Sequence, residues 1–190
     1  LCVDKMGHVL VSDRRNNRVQ VFNPDGSLKF KFGRKGVGNG EFDLPAGICV
    51  DIDNRIIVVD KDNHRVQIFT SSGVFLLKFG SYGKEYGQFQ YPWDVAVNSR
   101  RQIVVTDSRN HRIQQFDSEG RFIRQIVFDN HGSNKGIASP RGVCYTPTGN
   151  IIVSDFDNHC LYLIDPDINE VSKDLILLII LTKSSSDLVS

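Results

Sequence analysis

The sequence predicts an all-β protein built as a propeller of four-stranded blades, and three observations predict it. An Asp closes a short apolar run four times, at Asp13, Asp60, Asp107 and Asp155, with spacings of 47, 47 and 48 residues. Three positions after each Asp stands Asn16, Asn63, Asn110 or Asn158, and two further on stands Arg18, Arg65, Arg112 or, breaking the pattern, Cys160. Between these marks, short apolar or alternating runs are separated by Gly-, Asn- and Pro-rich turns. Four antiparallel strands repeated with a period of about 40–50 residues cannot bury both faces of one twisted sheet, so such units stack about an axis.

Each element follows from its local pattern. The first strand of the four units is predicted through residues 1–4, 48–51, 95–98 and 143–146, before tight turns ending near Gly7, Asn54, Arg101 and Gly149. The second strand is a continuous apolar run, as in Val9-Leu10-Val11, Ile56-Ile57-Val58-Val59, Ile103-Val104-Val105 and Ile151-Ile152-Val153. Such runs suit strands covered on both faces, with water on neither side. The third strand alternates, as in Arg65-Val66-Gln67-Ile68-Phe69, and leads into hairpin turns at 23–26, 70–73 and 117–120. The fourth shows period two, with Leu28, Phe30 and Phe32, then Phe75, Leu77 and Phe79, before a Gly-rich linker reaches Pro45 or Pro92. Residues 33–40 lack the Gly-Lys-Ser/Thr of a phosphate loop and read as a flexible linker. The repeats divide at about 1–44, 45–91, 92–139 and 140–170, and residues 171–190 read as a divergent tail outside the propeller.

Composition excludes little and directs some readings. With 190 residues, 40% of them apolar, the chain can bury a core, and 23 basic against 22 acidic residues leave a net charge of +1. Any polyanion-binding surface must therefore come from local sorting of charge. Cys2, Cys49 and Cys144 share one repeat position, filled by Ala96 in the third unit, which calls for a small buried residue; no disulfide framework is expected, and a reducing compartment is. The start within a strand reads as a fragment. The apolar run 175–181 is far below the ~20 residues that cross a bilayer, so no membrane anchor is expected.

The strings at residues 60–69 and 107–116, Asp-x-x-Asn-His-Arg-(Val/Ile)-Gln-x-Phe, resemble NHL repeats. Residues 75–80, 91–99 and 139–143 look like the TRIM-NHL proteins of the developmental-timing branch. The resemblance covers about residues 1–170 and stops near Asp174. It implies a six-bladed propeller of which about four blades are present, an open ring whose unpaired faces invite association, with the tail a truncated or aberrantly spliced end. It further implies a cytoplasmic post-transcriptional repressor whose propeller binds structured stem-loops in messenger RNA, and no DNA, while a separate RING region carries ubiquitin-ligase activity. A protein-interaction platform recruiting targets to a TRIM region is the alternative. No RING cysteine pattern is present, and Leu44, Cys160 and Arg124 depart from the family pattern.

The repeated Asp13, Asn16, Arg18, Asp60, Asn63, Arg65, Asp107, Asn110, Arg112, Asp155 and Asn158 read as scaffold, because Asp and Asn side chains fix loops and the Arg can pair with an Asp of its own or a neighbouring blade. The next position, Asn17, His64, His111 or His159, is read equally as structural and as a contact. An asymmetric ligand needs unlike side chains at equivalent points. The predicted rim collects Arg14, Arg15, Lys61, Arg109 and Arg141 beside Tyr91, Trp93 and Phe156, diluted by Asp62, Asp94 and Asp157. Cations neutralise phosphates and rings stack on splayed bases, so the RNA-binding candidates are Arg14, Arg15, Lys61, His64, Tyr91, Trp93, Arg109, His111, Arg141 and His159. A solvated rim with Trp93 packed between blades is the other reading. No catalytic residue, metal set or cofactor is expected: no Gly-x-Ser-x-Gly or Cys-x-x-Cys occurs. Convergence of His64, His111 and His159 on an axial metal, as in amidating lyases, ranks well below scaffold, and a Cys2, Cys49, Cys144 thiolate ring is too wide for bonds of ~2.3 Å.

Overall fold

Positive-φ turn residues close each sheet into a meander. Gly7, Asn54, Arg101 and Gly149 hold φ of 82°, 60°, 63° and 93°, and Gly26, Gly73 and Gly120 do the same for the outer hairpins. The structure is a computed structural model and describes residues 1–126 and 136–165. The first sheet contains β1 (Cys2–Val3), β2 (Val9–Asp13), β3 (Arg18–Phe22) and β4 (Leu28–Phe32). The second contains β5 (Pro45–Val50), β6 (Ile56–Asp60), β7 (Arg65–Phe69) and β8 (Phe75–Phe79). The third contains β9 (Pro92–Val97), β10 (Ile103–Asp107), β11 (Arg112–Phe116) and β12 (Phe122–Ile126). The fourth contains β13 (Pro140–Tyr145), β14 (Ile151–Asp155) and β15 (Cys160–Ile164), three strands among the described residues. All are antiparallel and follow chain order. The predicted tail 171–190 and its apolar run lie outside the described residues.

The first strands of the three later sheets start earlier than the sequence pattern predicts, at Pro45, Pro92 and Pro140, because each crosses a bulge. Pro45 pairs with Asp60 and Ile48 with Val58, and the residues between slip out of register. Ala46-Gly47, Trp93-Asp94 and Arg141-Gly142 occupy that slip and have no strand-like composition. Gly47 is required there. A Cβ on it would lie 2.5 Å from the Asp94 Cα and 2.3 Å from its Oδ1, so adjacent first strands approach backbone to backbone.

Period-two alternation sends neighbouring residues of one strand into opposite seams between sheets. Ile56 and Val58 pack with Leu10, Val19, Val21 and Phe69 of the first seam, whereas Ile57 and Val59 pack with Val95, Ile103 and Val105 of the second. Val104 joins Val143, Ile151 and Val153 in the third. Each such side chain is worth about 1.5–3 kcal/mol when buried, so the seams rather than any one sheet form the core. Two expectations change. β6 and β10 are buried at every position, but β2 and β14 are only partly so, because their outward faces meet no sheet among the described residues. β7 and β11 alternate in sequence yet are buried throughout, since Arg65, Gln67, Arg112 and Gln114 find internal partners.

The shared cysteine position is likewise less uniform than expected. Cys2 and Cys49 are half-buried against the first and second seams, but Cys144 is exposed, because the next seam would have to cover it.

Candidate functional site

The repeated polar residues build a clamp. The Asp60 carboxylate accepts from Arg65 Nε at 2.7 Å, Asn63 Nδ2 at 2.9 Å, Gln67 Nε2 at 3.1 Å and the Asp43 amide at 2.7 Å. The guanidinium then donates to the carbonyls of Val37, Gly38 and Glu41, and Asn63 donates to Gly36. Asp107, Asn110 and Arg112 repeat this geometry on Gly83, Glu85 and Gln88. Asp13 pairs with Asn16 and Arg18, and Asp155 with Asn158, while Cys160 leaves the fourth clamp without its guanidinium. The Arg therefore pairs within its own blade and reaches back to the linker that enters it. That linker is tied down rather than flexible, which corrects the reading of residues 33–40. Gln67 and Gln114 escaped the scaffold set, although their recurrence at one point of the repeated string marked them. Burial pushes the Asp60 and Asp107 carboxyls up, against the lowering effect of their donors, whereas the half-buried Asp13 is held below its usual range by Arg18.

The next position is a staple between blades. Asn17, His64, His111 and His159 all take left-handed backbone, with φ of 52°, 54°, 55° and 52°. Asn17 Oδ1 accepts from the Leu44 amide at 2.8 Å, and His64 Nδ1 accepts from the Tyr91 amide at 3.1 Å. His111 Nδ1 instead donates to the Ala138 carbonyl. Through these bonds Asn17, His64 and His111 hold the lead-in of the following blade, a structural part for His64 and His111 that leaves their other ring atoms open to contact. His159 stands 6.5 Å from the Phe156 ring. The three histidines do not form a metal set, and no three His, Cys, Asp or Glu side chains do so among the described residues.

On the same rim four blades meet at one indole. Arg14 of the first blade lies 5.1 Å from the Trp93 ring centroid, Lys61 of the second 5.7 Å and Arg141 of the fourth 4.7 Å. Lys61 also lies 4.8 Å from Tyr91, and Arg141 3.4 Å from Phe156, so the Arg141 guanidinium is held between two rings. Arg14, Lys61, Tyr91, Trp93 and Arg141, with Ser108, Arg109, His111, Ser139 and Asp157, line a basin of about 590 Å³, and Phe156 backs Arg141 beside it. Other predicted residues behave differently. Arg15 is exposed outside the basin, and Lys61 is largely buried and bonded to Asp62 at 2.5 Å. Asp94 points away towards the axis, accepting the Val143 amide at 3.0 Å, and burial pushes its carboxyl up. Trp93 is half-buried, packed against cations of three other blades yet partly open to solvent.

A larger groove of about 810 Å³ lies on the opposite rim between the third and fourth blades. Gln102, Gln115, Arg124 and Tyr145 line it and bond one another, with Gln115 Nε2 at 3.1 Å from the Tyr145 hydroxyl and Arg124 Nε at 2.7 Å from Gln115 Oε1. It holds one aromatic ring, Tyr145, and two cations, Arg100 and Arg124, against the several rings and cations of the smaller basin, which is the better candidate.

Comparison with known proteins agrees with this architecture. The NHL repeat profile matches residues 1–22, 42–69, 89–116 and 138–161. Protein wech of Drosophila melanogaster is 96% identical over 151 residues, which cover 80% of this chain and 18% of that protein. The chain thus spans less than a fifth of this curated relative. Among solved structures, a streptogramin B lyase superposes with a TM-score of 0.68 at 14% identity, over 87% of this chain and 50% of that one. Kuenenia stuttgartiensis hydrazine synthase superposes with a TM-score of 0.69 at 13% identity, over 90% and 47%. At such identities the likeness concerns the propeller fold alone.

Proposed function

The chain belongs to the NHL repeat family, and from that premise we propose that its rim is an RNA-binding face, the recognition module of a TRIM-NHL-type post-transcriptional repressor in the cytoplasm. One observation supports this most: three cations from three blades converge on the indole of Trp93 in a fourth. Cations drawn together repel one another, and Asp62 and Asp157 offset only part of that repulsion. A polyanion lying between them removes the rest and releases its own counterions. Beside the cations, the faces of Trp93, Tyr91 and Phe156 suit unstacked bases, which a stem-loop exposes and duplex DNA does not. This reading gives the chain a binding role with no catalytic residue, metal or cofactor, and places ubiquitin transfer in a RING region outside it.

The test is binding of a fluorescent RNA stem-loop to this chain across a salt series. Affinity falls steeply with salt, and Arg109→Ala, at an exposed position, lowers the slope of log K against log salt by about 1. Trp93→Ala costs about 1–3 kcal/mol, the worth of one stacked base. Binding no stronger than that of an unrelated neutral protein at moderate salt would overturn the reading. So would a rim that captures a protein partner through Trp93 and Tyr91 and is indifferent to salt and RNA.

A further inference from the structure

Outward from the Trp93 cluster runs a row of rings that the clamp and staple do not require to be aromatic. Lys61 bridges Trp93 to Tyr91, the His64 ring meets Tyr91 edge-on at 4.6 Å, and it also meets the tilted ring of Tyr82 at 4.9 Å. Tyr91 is 41% exposed and Tyr82 64%. Neither phenol is packed as a core residue would be. Tyr82 is nonetheless fixed in place, since its backbone bridges Phe89 and the neighbouring Gly83 carbonyl accepts from Asn110 at 2.9 Å. Among the described residues the row occurs once. At the matching points the first blade carries Asn17 and Leu44 with Lys35 on its linker, and the lead-in of the fourth blade carries Ser139.

We propose that Tyr82, His64 and Tyr91 form a stacking ramp for unpaired nucleotides that flank an RNA helix seated at Trp93, an inference that rests on the RNA reading above. Each exposed phenol takes one base on its free face, while His64 sets the spacing between them. Stacking needs no particular base, so the ramp is tolerant of sequence. The ligand is a stem-loop with a single-stranded extension rather than a blunt hairpin.

The experiment uses the full chain and two fluorescent RNAs, a blunt hairpin and the same hairpin with a short oligoadenylate extension at either end. The extension tightens binding about tenfold or more, as one to two stacked bases would. Tyr82→Ala cuts that gain to the share Tyr91 supplies and leaves the blunt hairpin unchanged, and Tyr82→Phe keeps the full gain. The ramp is overturned if Tyr82→Ala retains the full advantage of the extended RNA, or if it weakens both RNAs equally, as a scaffold residue would. Failure of the wild-type chain to bind either RNA overturns the RNA reading itself and is read separately.

Discussion

A single nitrogen distinguishes two staples that otherwise do the same work. Asn17 offers a carbonyl oxygen to the Leu44 amide, and His64 offers Nδ1 to the Tyr91 amide, which requires a neutral ring with its proton on Nε2. Burial pushes His64 below its ordinary 6.5, and nearby Lys61 adds to this while Asp62, Asp107 and Asp60 oppose it. Between the folded and the unfolded value the unfolded chain binds more protons. The staple's contribution is therefore complete above pH 6.5 and is lost as pH falls through and below that value. The expected outcome is a thermal midpoint that drops on acidification across this window more in the wild-type chain than in His64→Asn, a change copied from the first blade. Identical pH profiles would contradict it. The sequence showed that this position varied, but not why, because its partner lies 27 residues away in the next blade.

Strands and linkers form one mechanical unit. Arg112 is 8% and Asp107 0% exposed at the side chain, and the guanidinium also holds the carbonyls of Glu85 and Gln88. Arg112→Met leaves a buried carboxylate without its counter-charge, which costs about 3–5 kcal/mol. Arg18→Met, at a pair exposed by 30% and 19%, costs much less. Urea unfolding of the two variants measures the difference, and equal losses would show that burial does not set the value of the clamp. The outer strands β4 and β8 were legible to the residue, because Leu28, Phe30 and Phe32 alternate with lysines and Phe75, Leu77 and Phe79 keep the same period of two. The starts of the first strands were not, since the bulge sits on Gly and Asp, which carry no strand signal. Tyr82 was missed for a related reason. It lies in a Gly-rich linker ordered by its own backbone bridge to Phe89 and by side chains of the following blade, neither of which periodicity reveals.

At the scale of the whole molecule, each sheet is finished by its neighbours. The four-fold spacing of Asp13, Asp60, Asp107 and Asp155 was enough to read the architecture, yet it left open which rim cations meet. Arg14, Lys61 and Arg141 converge only because the sheets rotate about a common axis. The outward faces of the first and fourth sheets meet no partner among the described residues, and Cys144 sits on one of them. A maleimide reagent is expected to label Cys144 before Cys49, since Cys144 is exposed and burial pushes the Cys49 thiol well up. Equal rates at both would show that the second and third sheets part in solution. The clamp has one more consequence. Asn63, Arg65 and Gln67 secure the carbonyls of Gly36, Val37, Gly38 and Glu41 and the amide of Gly40, so what leaves one sheet is fastened by the next. On a ribosome, which releases residues in order, the first repeat emerges with these groups still hydrated and closes only when residues 60–67 have cleared the tunnel. Maturation trails translation by one repeat, and a stall within any repeat holds its predecessor unlatched.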